Sequence, residues 1–176
     1  MAELKKYNGV MVVLHWLLAV FILGALFMGL AVLDEMPADH PQKIFLLKTH
    51  VFVGIGILLF TLLRLAVRIL SAQPEPLPGG SPVLDRVARG VHLLLYLLTL
   101  LSAVSGIALA IAASLPDILL KGLGTLPHDF EDFAAHELHG LFADLLLLTI
   151  ALHTAAALYH HFILRDGILS RMSLRK

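Results

Sequence analysis

The chain has no cysteine. That excludes disulfides, thiolate metal sites, iron–sulfur clusters and the thioether attachment of c-type haem. Charge is also scarce: 15% of residues are Asp, Glu, Lys or Arg, against about a quarter in an average soluble domain. What charge there is balances, 13 basic against 13 acidic residues, so bulk electrostatics offers no attraction to a nucleic acid. Neither an internal repeat nor a low-complexity segment occurs, and 176 residues leave no room for a soluble catalytic module beside the apolar segments. In place of charge there is hydrocarbon: 59% of residues are hydrophobic and the mean hydropathy is +0.88. So much apolar side chain must face lipid.

The apolar residues form four stretches: Val10–Leu33, Ile44–Leu70, Val87–Ala113 and Leu138–Leu164. Each meets the roughly 20 residues that a helix needs to cross about 30 Å of hydrocarbon. Charges and helix breakers mark the connections. Asp34, Glu35, Pro37, Asp39 and Pro41 end the first span; Pro74, Pro76, Pro78, Gly79, Gly80 and Pro82 fill the second loop. The third loop holds Pro116, Gly122, Gly124 and Pro127, after which Asp129 and Asp132 suit a helix start near residue 130. Val10–Leu33 exceeds the 7–15 residues of a signal-peptide core, so it reads as a retained helix despite the basic Lys5 and Lys6. If both termini and the Pro-rich loop share one side, that side carries Lys5, Lys6, Arg64, Arg68, Arg86, Arg89, Arg165, Arg171, Arg175 and Lys176. The other side carries only Lys43, Lys48 and Lys121. The asymmetry predicts an all-α, up-down-up-down membrane bundle of one domain, with both termini cytoplasmic.

Histidine is abundant at ten residues, and several lie inside the apolar runs. Polar groups at membrane depth are costly and face a partner in the bundle interior. His139 and His153 both lie on the last helix, fourteen residues apart. That spacing returns them to within about 40° of one face, about 21 Å apart along the axis. Helix direction then assigns partners: His15 shares the inner level with His153, and His50 shares the outer level with His139. Facing imidazoles across a bundle suit the axial ligation of haem iron, and with both axial positions filled such a haem moves electrons rather than binding oxygen. His136, the rival to His139, points about 100° away from the His153 face. Zinc is a competing reading of the same imidazoles, although neither pair has an acidic neighbour on its face.

Other residues group around these levels. Arg64 lies fourteen residues after His50, at the inner level, and is a candidate clamp for a haem propionate; a snorkelling positive-inside anchor is the alternative. Gly54, Gly24 and Gly106 leave space either for a flat macrocycle or for helix packing. His92 and Tyr96, spaced i, i+4, and the pair His160 and His161 are candidates to bond a quinone carbonyl or a propionate; such residues are also common at headgroup level. Asp144 has no evident partner in the sequence.

The chain resembles the bacterial cytochrome b561 family, and within it the small di-haem superoxide:ubiquinone oxidoreductases. The resemblance is carried by Leu14-His15-Trp16, His50-Val51 with Gly54, Arg64 through Arg68, His92 through Tyr96, Leu138-His139, and Leu152-His153 running through Ala155-Ala156-Ala157 to His160-His161. One departure is Gly140 after His139, where an acidic residue is expected in the nearest members. The resemblance implies an inner-membrane protein with two b haems on His15, His50, His139 and His153. It further implies that superoxide is oxidised and ubiquinone reduced; Arg64, Arg68, His92 and Gly54 are the candidate cofactor contacts. Superoxide is an anion, so Lys43 and Lys48, with Lys121, are the expected attracting groups. His160, His161 and Tyr96 are the expected quinone or proton-relay residues. Two other classes fit the residues: a haem b anchor subunit linking the quinone pool to a dehydrogenase or hydrogenase, and, more remotely, a haem-free metal transporter.

Overall fold

The computed structural model describes residues 6–72, 74 and 81–174. Lys5, Arg175 and Lys176 of the charge count lie outside them, as do Pro76, Pro78, Gly79 and Gly80 of the second loop. The described residues are helical and contain no strand. Four helices are long and apolar enough to cross a membrane: Gly9–Leu33, Lys43–Leu70, Pro82–Ala112 and Ala134–Leu164. We call them α1 to α4. Helices α1 and α4 each close on a π-helical turn, Gly29–Leu33 and His160–Leu164, and a 3-10 turn, Ile168–Met172, follows α4.

Local chemistry sets the helix starts. The Asn8 side chain accepts a bond from the Val10 amide and opens α1. Ser81 does the same for Val83, and Pro82 occupies the first helical position, where its missing N–H costs nothing. Helix α3 therefore starts five residues before its apolar run, with Asp85, Arg86 and Arg89 in the polar first turns. Helix α4 departs from expectation in the other direction. Asp129 does not cap it: its carboxylate accepts from the Glu131 amide in a preceding turn, and the helix opens at Ala134 with no side-chain cap. A local Asx-type bond has outcompeted the cap.

Lys43 joins α1 to α2. The residue is 6% exposed, and its ammonium donates to the carbonyls of Leu33 and Met36. These oxygens lie where α1 ends, so the lysine satisfies acceptors the helix cannot. At the opposite end, the Trp16 indole donates to the Met172 carbonyl at 2.9 Å, and the Tyr7 amide reaches the Arg171 carbonyl. The 3-10 turn thus lies across the start of α1.

Each helix packs on its chain neighbour. One buried cluster joins Leu26, Leu98, Ala143 and Leu146 of α1, α3 and α4. A second, of Ala110, Ala113, Leu115, Ile118 and Leu119, closes the end of α3 with Leu47, Val51 and Phe133 packed on it. Buried Thr99 and Thr149 spend their hydroxyls on their own helices, donating to Leu95 and Leu145 at 2.7 Å. The outer faces are apolar: Val20, Phe27, Leu93 and Ile111 are each at least 66% exposed. In water such a surface is an aggregation hazard; in a bilayer it is the lipid contact.

Candidate functional site: two histidine pairs at two levels

The helices bring together the pairs the spacing predicts. His15 of α1 faces His153 of α4, with ring centroids 6.4 Å apart and planes at 77°. His50 of α2 faces His139 of α4 at 6.1 Å and 89°. The pairs are fourteen residues apart on α4, about 21 Å along its axis. Phe21 and Phe60, whose rings are 6.2 Å apart, lie between the two levels along α1 and α2. His136 stacks near Phe130 instead and joins neither pair.

At the His50–His139 level the surroundings hold one imidazole in a fixed pose. The His139 Nδ1 is 2.9 Å from the Ser102 carbonyl and 3.2 Å from the Ser105 hydroxyl. A carbonyl only accepts, so Nδ1 carries the proton and Nε2 keeps its lone pair for a metal. Gly106 makes this pose possible: a Cβ there would stand 3.0 Å from His139 Cε1 and 3.3 Å from Nδ1. At Gly29 a Cβ would stand 3.4 Å from His50 Cε1, an ordinary contact that the His50 pose does not depend on. The His50 Nδ1 is buried with no hydrogen-bond partner.

At the other level His153 has a second neighbour, His92 of α3, at 5.3 Å. Arg64 donates from Nη1 to the Tyr96 hydroxyl at 3.0 Å, and its guanidinium lies 5.4 Å from that ring's centre, with Arg68 at 6.0 Å. The Arg64 Nε is buried without a partner, and among the described residues no carboxylate pairs with it.

These residues fit haem. A first-row metal held between two imidazoles makes bonds of about 2 Å to nitrogens that lie about 1 Å from their ring centres, so centroids about 6 Å apart are required. Both pairs meet that requirement. Gly54, one turn past His50, has no atom within 4 Å of where a Cβ would stand, which leaves width for a flat ring. Arg64 offers a half-buried cation that, among the described residues, lacks a carboxylate partner, as a propionate demands. Zinc fits less well: among the described residues no three His, Asp or Glu side chains converge as metal ligands.

The remaining predicted site residues scatter. Lys43 is withdrawn into its helix-tying role and is not displayed to an approaching anion. Lys48 is exposed two residues before His50, and Lys121 is paired with Asp117 at 2.7 Å. His160 Nδ1 is 2.5 Å from Asp166 Oδ2. Slight burial would raise the Asp166 carboxyl, but the His160 ring and the Ile168 amide hold it below the usual carboxylate range. His161, the next residue, is exposed and lines an open cleft at the end of α4. Asp144 lies exposed on the outer surface of α4. Sequence reasoning missed Ser102 and Ser105. Their signal was available: hydroxyls three residues apart, followed by Gly106, on one face of an apolar helix.

Four apolar helices with paired imidazoles in their interior define a membrane electron-transfer protein of cytochrome b type. Comparison with known proteins gives the family: the prokaryotic cytochrome b561 family matches residues 6–173, and the chain belongs to it. Cytochrome b561 homolog 2 of Escherichia coli K12 is 30% identical over 176 residues, covering 96% of this chain and 91% of that protein. The protein named probable superoxide oxidase CybB of Yersinia pestis is 28% identical over 178 residues, 98% of each chain. Cytochrome b562 of Cereibacter sphaeroides is 33% identical over 123 residues, 70% of this chain and 65% of that one. The chain is thus a multi-pass protein of the bacterial inner membrane, in a family that carries haem b and transfers electrons.

Proposed function

We propose that this protein holds two b haems, one between His15 and His153 and one between His50 and His139, and uses them to oxidise superoxide and reduce ubiquinone. The observation that carries the reading is the recurrence of the same imidazole spacing, 6.4 and 6.1 Å, at two levels of one helix. A b haem, where these imidazole pairs hold it, would supply one-electron exchange. In balance, two superoxide anions, one ubiquinone and two protons give two dioxygen molecules and one ubiquinol. The similarity to the Yersinia pestis protein supports superoxide as the donor.

The helices run up-down-up-down with both termini cytoplasmic, as the distribution of Lys and Arg favours. The His50–His139 level then faces the periplasm, and the His15–His153 level the cytoplasm. Exposed Lys48 supplies the attraction for superoxide; Lys43, tied to two carbonyls, contributes only a distant field. Ser102 and Gly106 hold His139 in the tautomer and pose a metal needs. Arg64, steadied by Tyr96, neutralises a propionate; Arg68 and His92 complete that polar group. Quinone reduction at the inner level consumes protons, and the contact between His160 and Asp166 is a ready donor pair, with His161 beside it.

The test is a visible spectrum of detergent-purified protein, oxidised and dithionite-reduced, with haem quantified per chain and superoxide supplied enzymatically. The reading requires two low-spin b haems per chain that superoxide reduces and ubiquinone reoxidises. Two haems that answer to quinol but not to superoxide would point to an anchor subunit, and a colourless protein from haem-replete cells would remove the pairing altogether.

A further inference from the structure

The two imidazole levels differ in their surroundings. At the His50–His139 level the His139 Nδ1–H lies between two acceptors. The Ser102 carbonyl is 2.9 Å away and the Ser105 hydroxyl 3.2 Å. Ser105 spends its one proton on the same carbonyl, at 3.0 Å, so it offers His139 a lone pair. Ser105 is 8% exposed and thus shielded from water. Acceptors at Nδ1 push electron density toward the opposite nitrogen and make it a stronger donor to a metal. At the other level, among the described residues, neither His15 nor His153 has a hydrogen bond.

Charge is divided in the same sense. Arg64 donates to Tyr96, Tyr96 lies one helical turn from His92, and His92 lies against His153. A guanidinium therefore stands beside the His15–His153 level. Residues 27–57 and 98–147, which flank the His50–His139 level, contain no arginine. Their lysines are diverted. Lys121 pairs with Asp117, and Lys48 is exposed, where water and salt screen it. Lys43 is bound to two carbonyls and stands about 10 Å before His50 along α2. A more basic axial ligand favours ferric iron, and a nearby cation favours ferrous iron. Both differences make a haem at His50–His139 the harder of the two to reduce.

We propose that Ser105 is a positioning residue that acts through His139 to hold the His50–His139 haem at a lower potential than the His15–His153 haem. Electrons then pass from the first level to the second. One electron moves, from ferrous iron at one level to ferric iron at the other, with no proton transferred and no bond broken. The inference rests on the two-haem reading and is independent of which donor supplies the electron.

The experiment is a redox titration of the purified haem-loaded protein in detergent, followed by the visible absorbance of reduced haem. His139→Leu, which should retain only the His15–His153 haem, assigns the midpoints. Wild type is expected to show two midpoints separated by about tenfold or more in reduction equilibrium, ~59 mV, the higher one matching His139→Leu. Ser105→Ala removes one neutral hydrogen bond and should raise the lower midpoint about threefold, ~28 mV, with the higher one in place. Ser105→Thr, which keeps the hydroxyl, should restore the wild-type value. Arg64→Gln should lower the higher midpoint about tenfold, and Arg64→Lys should hold most of it; if Arg64→Gln sheds its haem, the Ser105 variants carry the test. Coincident midpoints, the reverse order, or an unmoved lower midpoint in Ser105→Ala would overturn the proposal while leaving the two-haem reading intact. A preparation without two haems per chain would overturn both. Two midpoints in the expected order, in a protein that superoxide fails to reduce, would support the proposal and remove superoxide as the donor.

Discussion

The closest approach around either pair is at Gly106, where a methyl group would stand 3.0 Å from His139 Cε1 and 3.3 Å from Nδ1. Carbon atoms in contact prefer about 3.5–4.0 Å, so in Gly106→Ala the imidazole must retreat by about 0.5 Å. Its Nδ1 bond to the Ser102 carbonyl, 2.9 Å in the native protein, would then exceed the roughly 3.2 Å at which such bonds hold. Two effects oppose each other. Alanine gains about 1 kcal/mol of helix propensity over glycine. Overpacking costs about 1–3 kcal/mol, and loss of the group orienting a metal-bound imidazole costs about 10–100-fold in metal affinity. The second pair of effects wins, so haem affinity at the His50–His139 level should fall about 10–100-fold with the other level intact. The assay is haem per chain by pyridine haemochromogen, in cells and reconstitutions with limiting haem, where the ratio should move from about two toward one. Gly24→Ala is the control, since Gly24 is exposed on the outer surface of α1 and no atom lies within 4 Å of a Cβ there; it should keep both haems and gain up to about 1 kcal/mol of stability. Wild-type haem content and redox potentials in Gly106→Ala would refute the steric reasoning.

Three further outcomes are expected. His139→Leu and His153→Leu should each remove one haem and leave the other's reduced spectrum in place, and a variant that loses both or neither in such a measurement would break the two-level assignment. Lys43→Met should lower the Tm, with a cost of about 1–3 kcal/mol for the stranded carbonyls. It should spare the salt dependence of superoxide oxidation, whereas Lys48→Gln should slow that reaction and flatten its response to ionic strength. The contact between Asp166 and His160 supports stability in the pH range where the carboxylate is ionised. Because the folded-state pKa of Asp166 is depressed, that contribution is full above the unfolded value of about 3.9 and fades as pH falls through the lower folded value. Being part-exposed, it should be worth about 0.5 kcal/mol after screening. Thermal melts of wild type and Asp166→Asn should therefore differ slightly at neutral pH and converge below about pH 4.

The spans and the histidine pairs were legible because both follow from arithmetic along a helix. A run of about 20 apolar residues has one use, and fourteen residues return a side chain to its own face. Helix ends were less legible. The first turns of α3 carry Asp85, Arg86 and Arg89, so an apolar scan starts late, although Ser81 and Pro82 already spell the cap. At α4 the sequence offered an acidic cap, yet Asp129 closes a tighter ring with Glu131. The lysines were the poorest guide. Sequence proximity placed Lys43 beside His50 as a cationic lure, whereas its long stem carries the ammonium back to Leu33 and Met36. Backbone acceptors at a helix end are invisible in side-chain patterns, and so was the Ser102 carbonyl that fixes His139.

Both imidazole pairs take one member from α4, the last of the four long helices in chain order. During synthesis, His15 and His50 therefore enter the membrane with nothing opposite them, and neither pair exists until α4 has been inserted. A stalled or truncated chain that stops short of α4 holds one imidazole of each pair and completes neither. On the proposed haem assignment, completion of the last helix would act as a checkpoint on redox competence, written into the order in which the imidazoles are made.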